Sequence, residues 1–152
     1  MKAVTDSSYT VAGYALEALA AIDDAAAESA AKKLMAQPYK GILRDALFGY
    51  TDESKFDSLA AVFDAMPLGG AKVNMLPAFA NFLGRVSNTN NFQKGVDMIV
   101  DFREQIPQQF RANSNPFINA ELKKLLEKKQ AKGLTEQADY VKSKLAEDKP
   151  QQ

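Results

Sequence analysis

The chain has 152 residues, 46% of them apolar and 25% charged, with 19 basic side chains against 19 acidic ones and no cysteine or histidine. That is one ordinary soluble domain's worth of chain, long enough to bury a core without disulfide or metal staples. The balanced charge argues against a nucleic-acid binder, and the missing His and Cys remove the Ser-His-Asp triad, a neutral-pH imidazole base and the usual structural zinc sites.

The first predicted helix covers 8–22. Ala12, Ala15, Leu16, Leu19 and Ile22 recur at the three- and four-residue spacing of a buried face, and Asp6, Ser7 or Ser8 can cap it. Asp23-Asp24 ends this helix and caps a second over 25–36, with Ala27, Ala30, Ala31 and Leu34 inward, stopped by Pro38. A third covers 40–48, with Leu43, Ala46 and Leu47 inward and Gly49 as its stop. Thr51-Asp52-Glu53-Ser54 opens a fourth, striped by Phe56, Leu59, Ala60 and Phe63. Its acidic residues Asp52, Glu53 and Asp57 suit the positive end of the helix dipole.

Met66-Pro67-Leu68-Gly69-Gly70 is the strongest break in the chain. Leu68-Gly69-Gly70-Ala71-Lys72 lacks the spacing and the preceding strand of a phosphate loop, so it reads as a helix breaker. A fifth helix is expected over 72–86, either kinked at Pro77 or starting near Leu76. Asn90 is the expected cap of a sixth over 91–104, with Phe92, Val96, Ile99 and Phe102 or Arg103 along its seam. Gln108 to Asn115 is polar and reads as a segment with one helical turn at most. Pro116 suits the first position of a seventh helix running to Ala131, with Ile118, Leu122, Leu125 and Leu126 buried. Gly133 ends it, Thr135 caps an eighth with Ala138, Val141 and Leu145 inward, and the tail from Asp148 frays.

No segment alternates apolar and polar residues as a strand would, so the fold is expected to be all-α. Helix pairs begin near residues 8, 40 and 72, a period of about 30–35 residues that fits a HEAT-like α-α superhelix; a compact α-bundle is the alternative. The expected organisation is one helical-repeat domain over 1–149 with a short frayed tail. Phe48, Phe56, Phe63, Phe79, Phe92 and Phe102 sit at helical spacing and read as core. Asp97, Asp101 and Glu104 share a face that reads as solvated. The basic excess after residue 110, with Lys123, Lys124, Lys128, Lys129 and Lys132 on one helix, reads as a solvated helix surface.

Both ends of the chain carry a resemblance. Asp6-Ser7-Ser8-Tyr9-Thr10-Val11 followed by Ala15-Leu16-Glu17-Ala18-Leu19 resembles the opening helix of the C-terminal helical region of aminopeptidase N-type zinc metallopeptidases. Ile106-Pro107-Gln108-Gln109-Phe110-Arg111, the helix led by Asn115-Pro116, and Ala138-Asp139-Tyr140-Val141 are similar to the end of that region. The resemblance implies an accessory C-terminal domain, inert alone, that roofs the active-site chamber of a parent enzyme and restricts peptide access. It implies that zinc, held by His-Glu-x-x-His and a downstream Glu, and the Gly-Ala-Met-Glu-Asn clamp all lie upstream, so no catalytic or metal residue is carried over here. Its partners would be the catalytic domain of the same polypeptide and, through it, the peptide substrate, with no nucleic acid and no membrane. Within the polar segment, Arg111, Asn113 and Asn115 are candidate peptide contacts, because a guanidinium can meet a carboxylate with two parallel hydrogen bonds. The alternative functional reading is a free-standing HEAT-like scaffold for another protein. The absence of cysteine is compatible with either a cytoplasmic or an exported location.

Overall fold

The structure is a computed structural model that describes residues 9–36 and 41–145. Among the described residues it is all-α: α1 (Tyr9–Ile22), α2 (Asp24–Met35), α3 (Gly41–Phe48), a 3-10 turn (Glu53–Lys55), α4 (Phe56–Ala65), α5 (Gly70–Arg85), α6 (Thr89–Gln105), α7 (Gln108–Ala131) and α8 (Thr135–Lys144). The chain divides after Asp52 into two compact units. The expected caps Asp6, Ser7 and Ser8, the stop at Pro38, the start at Lys40, the side chain of Leu43 and the frayed tail lie outside the described residues.

In the first unit α1 packs on α2 and α3. Ala12, Leu16, Ala27, Ala31, Leu34, Ala46, Leu47 and Tyr50 form its core. The small side chains let the helix axes approach closely, so a few leucines fill the space between them. Asp23 caps α2 as expected, its carboxylate accepting from the Ala26 N–H at 3.0 Å. Ile22 departs from expectation. It is 82% exposed, because at the last position of α1 it lies about 80° around the helix from Ala12 and about 120° from Leu16, off the buried face.

In the second unit α5 packs on α6 and α7, α6 on α7 and α8, α7 on α8, and α4 on α5 and α6. Its core is aromatic. The Phe63 and Phe79 rings stack at 4.3 Å, and Phe102 meets Phe63 edge-on at 6.1 Å. Phe82, passed over in the sequence, is fully buried with Phe56, Phe92 and the aliphatic residues Leu76, Leu83, Val96 and Ile99. Gly95 lets α6 approach α5. A β-carbon there would stand 2.3 Å from Leu83 Cδ2.

Several helix ends differ from the sequence reading. The α4–α5 break falls at 66–69, and Gly69, at φ 153°, lets α5 begin at Gly70. α5 runs on through Pro77, whose ring nitrogen has no hydrogen to give the Val73 carbonyl. The cap of α6 is Asn88 rather than Asn90: its side chain accepts from the Asn91 N–H at 2.9 Å, and the helix starts two residues early. The largest departure is α7, a single helix of 24 residues that absorbs the polar stretch before Pro116 and passes through that proline. Gln108 to Phe110, Ala112 and Asn113 face solvent, so a polar sequence is what this part of the helix requires. Gly133, at φ 71°, terminates α7 as expected. Its N–H bonds the Gln130 carbonyl and the Leu134 N–H bonds that of Lys129. Thr135 is the first residue of α8 rather than its cap; Leu134 holds the cap position without a side-chain bond.

Candidate functional site: polar side chains tied to helix ends

A helix leaves its last four carbonyls without partners and carries partial negative charge there. In the second unit three such ends are met by long donors from other helices. At the end of α5, Lys129 Nζ donates to the Val86 carbonyl at 2.7 Å and Lys132 Nζ to the Gly84 carbonyl at 2.8 Å. The Gln137 amide donates to the Ser87 carbonyl at 3.0 Å. At the end of α8, Arg103 Nη1 donates to the Lys144 carbonyl at 2.9 Å and to Asn119 Oδ1 at 3.1 Å. At the end of α6, Arg111 Nε donates to the Ile106 carbonyl at 2.9 Å and Nη2 to that of Glu104 at 2.8 Å. The α5–α6 turn is held from its other side by Glu53, whose carboxylate accepts from the Ser87 N–H at 2.6 Å and the Ser87 hydroxyl at 2.8 Å. Glu53 therefore serves a turn more than thirty residues away.

Lys129 is the most perturbed group of this network. It is only 1% exposed, which corrects the reading of the whole lysine row as a solvated surface. Burial pushes its pKa from 10.5 down to about 8, Lys132 and Lys128 add repulsion, and Glu53 opposes them. The ammonium is held by the carbonyl at the helix end and lies 4.6 Å from the centre of the Phe92 ring. Lys72, expected at a helix start beside a glycine loop, is likewise buried. Its Nζ sits 4.9 Å above Phe63 and 5.5 Å from Phe102. It faces aromatic rings, which gives it no phosphate-binding geometry.

The carboxylate row on α6 is divided in its roles. Asp97 accepts from the Tyr140 hydroxyl at 2.5 Å and lies 3.6 Å from Lys144 Nζ, joining α6 to α8. That hydrogen bond, with burial and the carboxylate charge behind it, pushes the Tyr140 pKa up to about 12. Asp101 and Glu104 are exposed, as expected.

The three candidate peptide contacts all fall on the first half of α7. Arg111 and Asn115, four residues apart, share a face, and Asn113 points from the other side. Arg111 is committed to the two α6 carbonyls. Asn113 is exposed, and Asn115 is half-buried with a shielded Oδ1 that makes no hydrogen bond. The tying role of Arg111 was not legible in the sequence, because its acceptors are backbone atoms of no particular residue type.

Among the described residues no group of three or more His, Cys, Asp or Glu side chains is placed to hold a metal ion, and no helix is long and apolar enough to cross a membrane. No protein-family pattern, curated protein or solved structure matches the chain.

Proposed function

We propose that this chain is the accessory C-terminal helical region of an aminopeptidase N-type zinc metallopeptidase, one that roofs the active-site chamber, restricts which peptides enter and performs no chemistry itself. The observation that carries the non-catalytic part is the use of the buried polar side chains. Lys129, Arg103, Gln137 and the half-buried Arg111 donate to the carbonyl ends of neighbouring helices. A catalytic group needs a free lone pair or proton aimed at a substrate; the donor atoms named here instead hold neighbouring helices in place. The name of the enzyme rests on the resemblance at the two ends of the sequence. Zinc and the catalytic carboxylate belong, in this reading, to the upstream part of the same polypeptide.

The test is an aminopeptidase reporter assay on the 152-residue chain and on the full polypeptide that encodes it. The chain alone should release no amino acid, and the full polypeptide should do so in a metal-dependent way. Metal-dependent release by the chain alone would overturn the proposal. The packing of α1 on α3, α5 on α7 and α6 on α8 also supports the second reading, a free-standing helical scaffold for another protein. A reading frame with no peptidase sequence upstream of residue 1 would select it.

A further inference from the structure

Among the shielded cations of the second unit, Lys72 stands apart. The buried Lys129 and Arg103 and the half-buried Arg111 each donate to a backbone carbonyl. Lys72 is only 5% exposed, yet among the described residues its ammonium makes no hydrogen bond and no ion pair. Its contacts are ring faces, Phe63 at 4.9 Å and Phe102 at 5.5 Å. A ring face recovers part of the hydration an ammonium loses, but a buried charge is costly until an oxygen meets it. Asp64 and Asp101, the acidic residues beside those rings in sequence, face solvent instead.

The start of α5 is equally unprovided. Gly69 holds the cap position without a side chain, and the first turn contains no acidic residue. The N–H groups of Gly70, Ala71 and Lys72 therefore have no helical acceptor and form the positive end of the helix dipole. The backbone there is open: a β-carbon on Gly69 or Gly70 would meet nothing within 4 Å, and Leu68 just before them is 50% exposed. Lys72 is the third residue of α5, and helical side chains lean back toward the N-terminus. The amine and the free N–H groups thus lie at one end of the helix. Phe63 and Phe102, in the last turns of α4 and α6, mark the same end.

We propose that the start of α5 binds a carboxylate bearing an apolar substituent. One carboxylate oxygen accepts from Lys72 Nζ, the other from the first-turn N–H groups, and the substituent lies on Leu68. A phosphate presents oxygens on every side and needs donors around it. A carboxylate presents two in one plane, which donors on a single side can fill. A free carboxylic acid and the C-terminus of a peptide share this chemistry. The site lies wholly within the second unit, so it stands independently of the enzyme proposed above.

Amide NMR of the 152-residue chain, titrated with phenylpropionate and with N-acetylphenylalanine, tests the proposal, and phenylpropionamide is the uncharged control. The Gly70 and Ala71 N–H signals should shift saturably, with a dissociation constant of about 1 mM, and the amide should leave them in place. Tighter binding of phenylpropionate assigns the site to free acids, and tighter binding of N-acetylphenylalanine to peptide ends. Lys72→Met should weaken binding by about tenfold or more. Gly70→Pro, at a first helical position that accepts proline, removes one N–H without touching Lys72 and should weaken binding as well. Shifts that fail to saturate, that the amide reproduces, or that both variants retain at full affinity overturn the proposal.

Discussion

Raising the pH from 7 should stabilise this protein, and Lys129 is the reason. In the unfolded chain its ammonium holds the proton to about pH 10.5, whereas in the folded chain the proton leaves near pH 8. Between those values unfolding takes up a proton, so stability rises with pH; below pH 8 both states are protonated and the burial penalty is fully present. At about 1.4 kcal/mol per pH unit, the 2.5-unit gap is worth about 3 kcal/mol in all, about 2 of it regained by pH 9.5. The neutral amine can still donate to the Val86 carbonyl, so the tie survives the titration. Lys129→Met removes the titrating group and should flatten the rise. It also strands the Val86 carbonyl, at a cost of about 1–3 kcal/mol that offsets the relief of burying no charge at neutral pH. Urea denaturation of both proteins from pH 7 to 9.5 makes the comparison. A wild-type stability that stays flat or falls across this range, or a variant that keeps the rise, would refute the reasoning.

Two glycines that look alike in sequence should respond differently to alanine. At Gly95 the new methyl meets Leu83, fully buried and without room to turn, so overpacking of about 1–3 kcal/mol should exceed the roughly 1 kcal/mol gain in helix propensity. At Gly84 it meets the flexible Lys128 chain, Cδ at 2.7 Å, which can move only by giving up the 3.1 Å bond from Lys128 Nζ to Asn81 Oδ1; that loss of about 1 kcal/mol is matched by the gain in helix propensity, so Gly84→Ala should leave the melting temperature within a few degrees of wild type, and equal losses at both positions would contradict the packing. Phe63→Ala removes a ring stacked on Phe79 and lying beneath the Lys72 ammonium, and should cost about 3–5 kcal/mol by chemical denaturation; a loss below about 1 kcal/mol would be inconsistent with a central position. Tyr140 has the opposite pH sign to Lys129. Its folded pKa of about 12 lies above the ordinary 10, so the stabilisation it gives is complete below pH 10 and lost as the pH rises toward 12. Tyr140→Phe should remove that alkaline decline, and a decline unchanged in the variant would count against the Asp97 bond.

The helical class, the position of most helices and the aromatic core were legible in the sequence, since each depends on residue spacing within one segment. Ala12 and Leu16, Ala27 and Ala31, and Phe56, Ala60 and Phe63 could be assigned to buried faces from periodicity alone. The Gly133 stop was legible for a similar reason, because a left-handed residue after a helix is a local requirement. The candidate site was much less so. Arg111 could be singled out as a guanidinium in a polar segment, but its acceptors are the last carbonyls of the preceding helix. The polar run before Pro116 was misread because an exposed helix and a loop share the same composition.

Composition and periodicity by themselves determined that this is a helical protein without histidine or thiol chemistry, and which faces of its helices seek a core. Tertiary structure alone decided that Lys129 is buried while Lys124 is exposed, that Glu53 holds the turn at Ser87, and that Ile22 faces outward. The Lys129 and Glu53 contacts join residues 43 and 34 positions apart. The free energy that buries a charge or orients a carboxylate comes from a partner at that distance, and spacing within one helix carries no record of it.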